Sequence, residues 1–139
     1  LNGLLLGAAV GCGFAAFETS GYALRELALE DIESMIQVIQ LRGILSPFMH
    51  IVWTAVAGGA LWRIKKNKNF SLKNIQTKKF ILPFSIMIIC HALWNSPWQL
   101  PFMGKYIICG LLSWIIALSI LNLGIKQIIQ EKEGKEIFS

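Results

Sequence analysis

The segment Gly7-Ala-Ala-Val-Gly-Cys-Gly-Phe-Ala-Ala-Phe-Glu-Thr-Ser-Gly-Tyr22 combines small residues with a single carboxylate, Glu18. Gly3, Gly7 and Gly11 recur at every fourth position, an interval that lets another helix approach closely in lipid. At about 3.6 residues per turn, Gly7 and Gly11 fall on the same side as Glu18. An ionisable group in an apolar helix usually faces a cavity or a partner. The segment therefore predicts a membrane helix that packs tightly on a neighbour and presents Glu18 to it.

The composition is that of an integral membrane protein. The 139 residues are 55% hydrophobic and 15% charged, whereas soluble domains contain roughly 25% charged residues. We therefore expect one all-α domain over residues 1–139, a polytopic helix bundle in the cell membrane. The chain begins with leucine and has no charged leader, so we interpret residues 1–24 as a helix from a longer protein rather than a signal peptide. The net charge of +5 lies beside the ends of apolar stretches, which favours the lipid bilayer over nucleic acid as a partner.

Four apolar stretches predict membrane-spanning helices, at about residues 4–24, 46–62, 80–100 and 104–129. Ser46 and Pro47 are expected to open the second helix, since serine is a good N-cap and proline a good first helical residue. Trp94 and Trp98 are expected at the far membrane interface, where indole rings prefer to lie.

The polar segments between these stretches predict the topology. Residues 63–79 hold seven bases and no acid, so this short loop is expected to be cytoplasmic. Residues 25–43 carry apolar side chains at helical spacing among polar ones, which predicts an extracytoplasmic amphipathic helix on the membrane surface. Residues 130–139 form a charged tail.

Three titratable side chains are expected at a common depth. With a rise of about 1.5 Å per residue, Glu18, His50 and His91 each lie roughly 5–13 Å below the outer surface. A single histidine in a membrane span is more often a hydrogen-bonding group between helices than a catalyst. A carboxylate and two imidazoles at one depth instead favour a shared functional site, with Asn95 one turn after His91.

Two kinds of chemistry fit these residue types. A carboxylate beside histidines can hold a water molecule and accept its proton, and Asn95 can donate a hydrogen bond to a developing oxyanion. Glu18, His50 and His91 can also bind a divalent metal such as zinc and leave positions open. Because no HExxH pattern is present, we prefer a glutamate-activated water and leave the metal open.

At these residues the chain resembles the PrsW family of intramembrane proteases, which is related to the CAAX prenyl endopeptidases and the bacteriocin-immunity-type CPBP membrane proteins. Phe14 and Glu18 in the small-residue helix are similar to the family's F-x-x-x-E motif. The second helix is similar to its R…P-x-x-H-x-x-x-T pattern, with Arg42, Pro47, His50 and Thr54. The third resembles its H-x-x-W-N pattern, with His91, Trp94 and Asn95. The likeness extends over about residues 4–100.

The resemblance implies an intramembrane endopeptidase that cleaves a membrane-protein substrate, such as an anti-sigma factor. It places Glu18, His50 and His91 at active-site positions and Asn95 in support. Family members also carry an E-E-x-x-K motif on an earlier helix, and this chain has no adjacent glutamate pair. We therefore expect a helix upstream of Leu1 to complete the site, packed on the second small-residue flank of the first helix.

Two other functions are compatible with such a bundle. One is a non-catalytic membrane scaffold or immunity-type binding protein of the same fold. The other is a transporter or proton relay that uses Glu18 and the histidines. A relay needs polar residues along a whole path, whereas residues 56–61 and 81–89 are almost wholly apolar, which disfavours it.

Overall fold

The computed structural model describes residues 1–65, 75–98 and 100–134, and this part of the chain is helical throughout, apart from short turns. The helices are α1 (Asn2–Leu29), α2 (Ile32–Ser46), α3 (Val52–Lys65), α4 (Lys78–Asn95) and α5 (Gly104–Lys132). A π-helical turn, Pro47–Ile51, joins α2 to α3, and a 3₁₀ turn, Pro101–Met103, precedes α5. The predicted all-α membrane bundle is confirmed.

The first half of the chain forms a long antiparallel pair of helices. The chain leaves helical geometry at Glu30, with φ −122° and ψ −104°. Asp31 then caps α2, since its carboxylate accepts a hydrogen bond of 2.7 Å from the Ser34 N–H. The predicted single helix over residues 25–43 is therefore wrong in its bounds: residues 25–29 end α1, and Ile32 begins α2. The extracytoplasmic placement of this segment stays a prediction.

The predicted helix start at Ser46 is also wrong. Ser46 has helical dihedrals, φ −60° and ψ −38°, and is buried, so it does not act as an N-cap. Pro47 has no N–H to donate, and the π-helical turn accommodates that missing hydrogen bond without ending the helix. Ile32–Lys65 is consequently one helical stretch of 34 residues.

The contact between α1 and α3 is made by glycines, and we call Gly3, Gly7, Gly11 and Gly58 the glycine seam. A Cβ atom on Gly7 would collide with the carbonyl oxygen of Thr54, and one on Gly3 would collide with the carbonyl oxygen of Gly58. Gly58 meets Gly3 in return. The close helix approach predicted from the small-residue spacing is confirmed.

The other side of α1 is uncovered in the part of the chain that the structure describes. A Cβ added at Gly13 would meet nothing within 4 Å, and Phe17 is 81% exposed. Ala9 and Ala16 are exposed on the same flank. The helix therefore has one packed face and one open face.

The apolar core lies between α3, α4 and α5. Trp53 Nε1 donates a hydrogen bond of 2.7 Å to Ser113 Oγ, which in turn donates one of 2.5 Å to the Cys109 carbonyl. Trp94 is 7% exposed and packs edge-on against Tyr106, with ring centroids 4.7 Å apart. Trp94 thus packs in the core, because the last turn of α4 still faces the start of α5; the placement of Trp94 and Trp98 at the membrane interface stays a prediction.

Three helical stretches of the described chain are long and apolar enough to cross a membrane: Asn2–Leu29, Ile32–Lys65 and Pro101–Gln130. Many large apolar side chains on them are exposed, as a lipid-facing surface requires. The third predicted span forms α4, which has 18 residues and begins with two lysines; its crossing of the membrane stays a prediction. Most of the predicted basic loop (residues 66–74) and the end of the tail (135–139) lie outside the described residues.

Candidate active site

Glu18 on α1 is the centre of a polar cluster formed by four helical elements. Its Oε2 atom lies 2.7 Å from His50 Nε2, and its Oε1 atom lies 3.5 Å from His91 Nε2. The ligand atoms of Glu18, His50 and His91 all lie within 4.8 Å of one another. The predicted convergence of these three side chains is confirmed.

His50 is held inside the π-helical turn, and its side chain is 1% exposed. Its ring packs against Trp53 and His91, with centroid distances of 5.0 and 5.1 Å, and against Phe14 at 5.8 Å. A π-helical segment within an α-helix often marks a functional position. Here the turn places the imidazole beside the Glu18 carboxylate.

His91 and Asn95 lie one turn apart on α4 and reach Glu18 from the opposite side. Asn95 Nδ2 lies 3.1 Å from His91 Nε2 and donates a weak hydrogen bond of 3.4 Å to Glu18 Oε1. The His91 side chain is 34% exposed, compared with 1% for His50. The cluster is therefore closed at His50 and accessible at His91 and Asn95.

Arg42 is a member of the cluster that the sequence reasoning did not assign to the site. It donates a hydrogen bond of 2.6 Å to Glu18 Oε2, and its guanidinium carbon lies 4.2 Å from the centroid of the Tyr22 ring. Its side chain is 11% exposed. A buried carboxylate such as Glu18 is usually paired with a cation. Arg42 is the base nearest in sequence to His50, so this rule could have identified it.

Several buried polar atoms of the cluster have no hydrogen-bond partner. Among the described residues they are Arg42 Nε, Ser46 Oγ, and both nitrogens of His50. His50 Nε2 is close to Glu18 Oε2 but lacks the alignment of a hydrogen bond. An unpaired buried polar group costs about 1–3 kcal/mol, and such groups mark strain, catalysis or the binding of an ion or water. Unpaired polar atoms beside a carboxylate are what a site that binds an ion or a water molecule provides.

Residues 1–122 match the sequence model of a protein family described as PrsW family intramembrane metalloprotease. The chain belongs to this family. No match was found among curated proteins or among solved structures. Membership in the PrsW family, together with three helices able to cross a bilayer, establishes a multi-pass membrane protease whose substrates are membrane proteins.

The cluster fits the metal ion that a PrsW metalloprotease requires. Two imidazoles and one carboxylate within 4.8 Å form the kind of donor set that holds a catalytic zinc ion and leaves one position open. His50 Nε2, which is buried and lacks an aligned hydrogen bond, is free to act as a ligand. Glu18, His50 and His91 are therefore the possible metal ligands, and the identity of the ion is open.

Proposed function

We propose that this chain is an intramembrane endopeptidase that hydrolyses a peptide bond of a membrane-protein substrate with a water molecule activated by Glu18 and the two histidines. The observation that carries the proposal is the meeting of Glu18, His50 and His91 within 4.8 Å. The family resemblance further suggests an anti-sigma factor as one class of substrate.

Glu18 is the proton acceptor in this proposal. As the water oxygen forms a bond to the scissile carbonyl carbon, one water proton moves to a Glu18 carboxylate oxygen. The same proton then passes to the amide nitrogen as the C–N bond breaks, which leaves a carboxylic acid and an amine. General acid–base catalysis of this kind contributes on the order of 10²–10⁴ in rate.

The neighbouring side chains position this carboxylate and stabilise charge. Arg42 holds Glu18 Oε2 at 2.6 Å, while Oε1 faces His91 and Asn95 on the accessible side. Asn95 Nδ2 can donate to the oxyanion that forms when water attacks the carbonyl. The buried side of the cluster therefore orients the carboxylate, and the accessible side meets the substrate.

Glu18, His50 and His91 would also hold the divalent ion of the family. When bound, such an ion polarises a carbonyl oxygen and makes water more acidic. Arg42 and Asn95, which hydrogen-bond to the two oxygens of Glu18, would orient the carboxylate in such a site.

The test is cleavage of a reporter membrane protein by the complete protease in lipid vesicles. Glu18→Gln keeps the size of the side chain but cannot accept a proton, so we expect cleavage to fall by on the order of 10²–10⁴ with the fold retained. Glu30→Gln removes an exposed carboxylate from the end of the same helix and is expected to leave cleavage unchanged. Normal cleavage by the Glu18→Gln protein would rule out Glu18 as the proton acceptor.

A further inference from the structure

A cavity of about 250 Å³ lies between Tyr22 of α1, the C-terminal parts of α2 and α4, and the start of α5, and it adjoins the Glu18 cluster at Arg42 and Asn95. Its polar edge is formed by Arg42 and Asn95, the two residues that hydrogen-bond to the Glu18 carboxylate. Its apolar walls include Leu41 and Leu45 of α2 together with Met103 and Tyr106. The mechanism proposed above uses the edge of this cavity and leaves the interior unassigned.

We propose that the cavity is a specificity subsite that binds the side chain of the substrate residue directly adjoining the scissile bond, and that it selects large apolar side chains such as leucine, methionine or phenylalanine. This inference rests on the proposed peptidase function. It adds to that function the chemical class of the residue at which the substrate is cut.

The position of the cavity supports this occupant. In the proposed reaction the scissile carbonyl of the substrate accepts a hydrogen bond from Asn95. Asn95 also contacts Glu18 and lines the cavity's polar edge. In an extended peptide the next residue is only about 3.3 Å further along the chain. A side chain that flanks the bond is therefore within reach of the cavity.

Its size and chemistry indicate which side chains fit. A volume of about 250 Å³ lies just below the range of about 300–1,000 Å³ found for pockets that bind drug-sized molecules, so it suits one side chain. Aliphatic and aromatic walls favour apolar groups. The Arg42 guanidinium at the edge disfavours lysine or arginine in the substrate by like-charge repulsion.

The rim near α5 shows a second feature of a binding site. Phe102 and Met103 both have positive φ, 54° and 56°, a left-handed conformation that is uncommon for residues other than glycine. Such backbone conformations cost of order 1–3 kcal/mol and cluster at active sites and ligand clamps. Here the conformation places Met103 in the cavity wall.

The first test fills the cavity. Two variants place a larger side chain in the cavity wall: Leu45→Phe, and Leu41→Phe at a more exposed position. The control is Ile44→Phe, because Ile44 lies on the same helix, is 66% exposed and does not line the cavity. Each protein is assayed on reporters that carry Ala, Leu, Phe or Lys on either side of the cleaved bond. We expect wild type to prefer Leu and Phe over Ala and to reject Lys. Filling should lower kcat/KM for Leu and Phe by about tenfold or more and spare Ala, and Ile44→Phe should change neither.

The second test does not depend on turnover. The background protein carries Glu18→Gln and Cys12→Ser, so it cannot cleave by the proposed route and lacks the exposed cysteine. Leu41→Cys is added to it, and the protein is oxidised together with reporters that each contain a single cysteine. A disulfide is expected only with the cysteine next to the scissile bond, and Ile44→Cys should form none.

The outcomes separate the two proposals. Two outcomes would overturn the subsite while the peptidase stands. One is Glu18-dependent cleavage whose residue preference is unchanged in both filled variants. The other is a disulfide pattern that is the same for Leu41→Cys and Ile44→Cys. A complete lack of Glu18-dependent cleavage would overturn the peptidase, and the subsite with it.

Discussion

The helix α1 meets the continuous α2–α3 helix in two regions that differ in almost every respect. At the glycine seam, backbone meets backbone, and the contact leaves no space even for a methyl group on Gly7. Two turns beyond Gly11, the same two helices are separated by a carboxylate, a guanidinium and an imidazole at Glu18, Arg42 and His50. The first region is apolar and closely packed, whereas the second is charged and leaves several polar atoms unpaired.

The difference assigns separate tasks to the two regions. The seam fixes the register of the helix pair, because small residues allow only one close arrangement of the two backbones. That register brings Glu18 beside Arg42 and His50. The cluster itself contributes little to stability, since buried charges and unpaired donors are commonly no better for stability than apolar side chains of the same size. Changes in the two regions should therefore affect different measurements.

Among the changes that compare the two regions, the largest effect on activity is expected from His50→Leu. Loss of the imidazole would remove one proposed metal ligand and one contact of Glu18, so cleavage should fall by at least on the order of 10². The unfolding temperature should change little, because leucine fills the space of a buried ring that contacts Glu18 without an aligned hydrogen bond. Reporter cleavage and thermal unfolding in detergent check both halves of this prediction.

Thr54→Val is the control for His50→Leu. The Thr54 hydroxyl donates only to backbone carbonyls of its own helical stretch, those of His50 and Ile51. We therefore expect near-normal cleavage from this variant. A strong fall in stability of the His50→Leu protein would contradict the separation of tasks.

The next largest effect is expected at the seam, from Gly7→Ala. The added methyl group collides with the Thr54 carbonyl oxygen, and overpacking of this kind costs about 1–3 kcal/mol. Gly13→Ala is the matched control, since its methyl group points into open space on the same helix. Chemical denaturation should show a loss of stability for Gly7→Ala and none for Gly13→Ala, and equal curves would show that the seam is not tightly packed.

A smaller effect is expected from Arg42→Lys. Lysine keeps the charge but cannot stack on Tyr22 as the planar guanidinium does. If Arg42 positions Glu18, kcat should fall by about tenfold, equivalent to roughly 1.4 kcal/mol, with KM nearly unchanged. Arg25→Lys, at a side chain that is 62% exposed, should have no effect. A rise in KM at constant kcat would instead assign Arg42 to substrate binding.

The sequence predicted the parts of the fold that depend on spacing along one helix. The interval of four between small residues identified the packed face of α1, and counting the helical rise predicted that Glu18, His50 and His91 meet. Both inferences work because a membrane helix must satisfy its backbone hydrogen bonds within itself and therefore keeps a regular geometry.

The errors concern residues whose role depends on a partner helix. Pro47 ends many helices, but here a π-helical turn carries the chain through, so Ser46 is buried instead of capping. Trp94 packs on Tyr106 of α5, a contact that its position near the end of a span does not reveal. Arg42 reaches Glu18 from 24 residues away, and only the expectation that a buried carboxylate pairs with a cation pointed to it.

The central claim is that Glu18, His50 and His91 form one metal-binding hydrolytic centre. The most direct measurement is the metal content of the purified complete protein by elemental analysis, for wild type and for the Glu18→Gln, His50→Leu and His91→Gln variants. We predict about one divalent ion per wild-type chain, a lower metal content in each variant, and cleavage reduced by at least on the order of 10² in each. Full metal content in all three variants would contradict the account, because the ion would then have to be bound elsewhere.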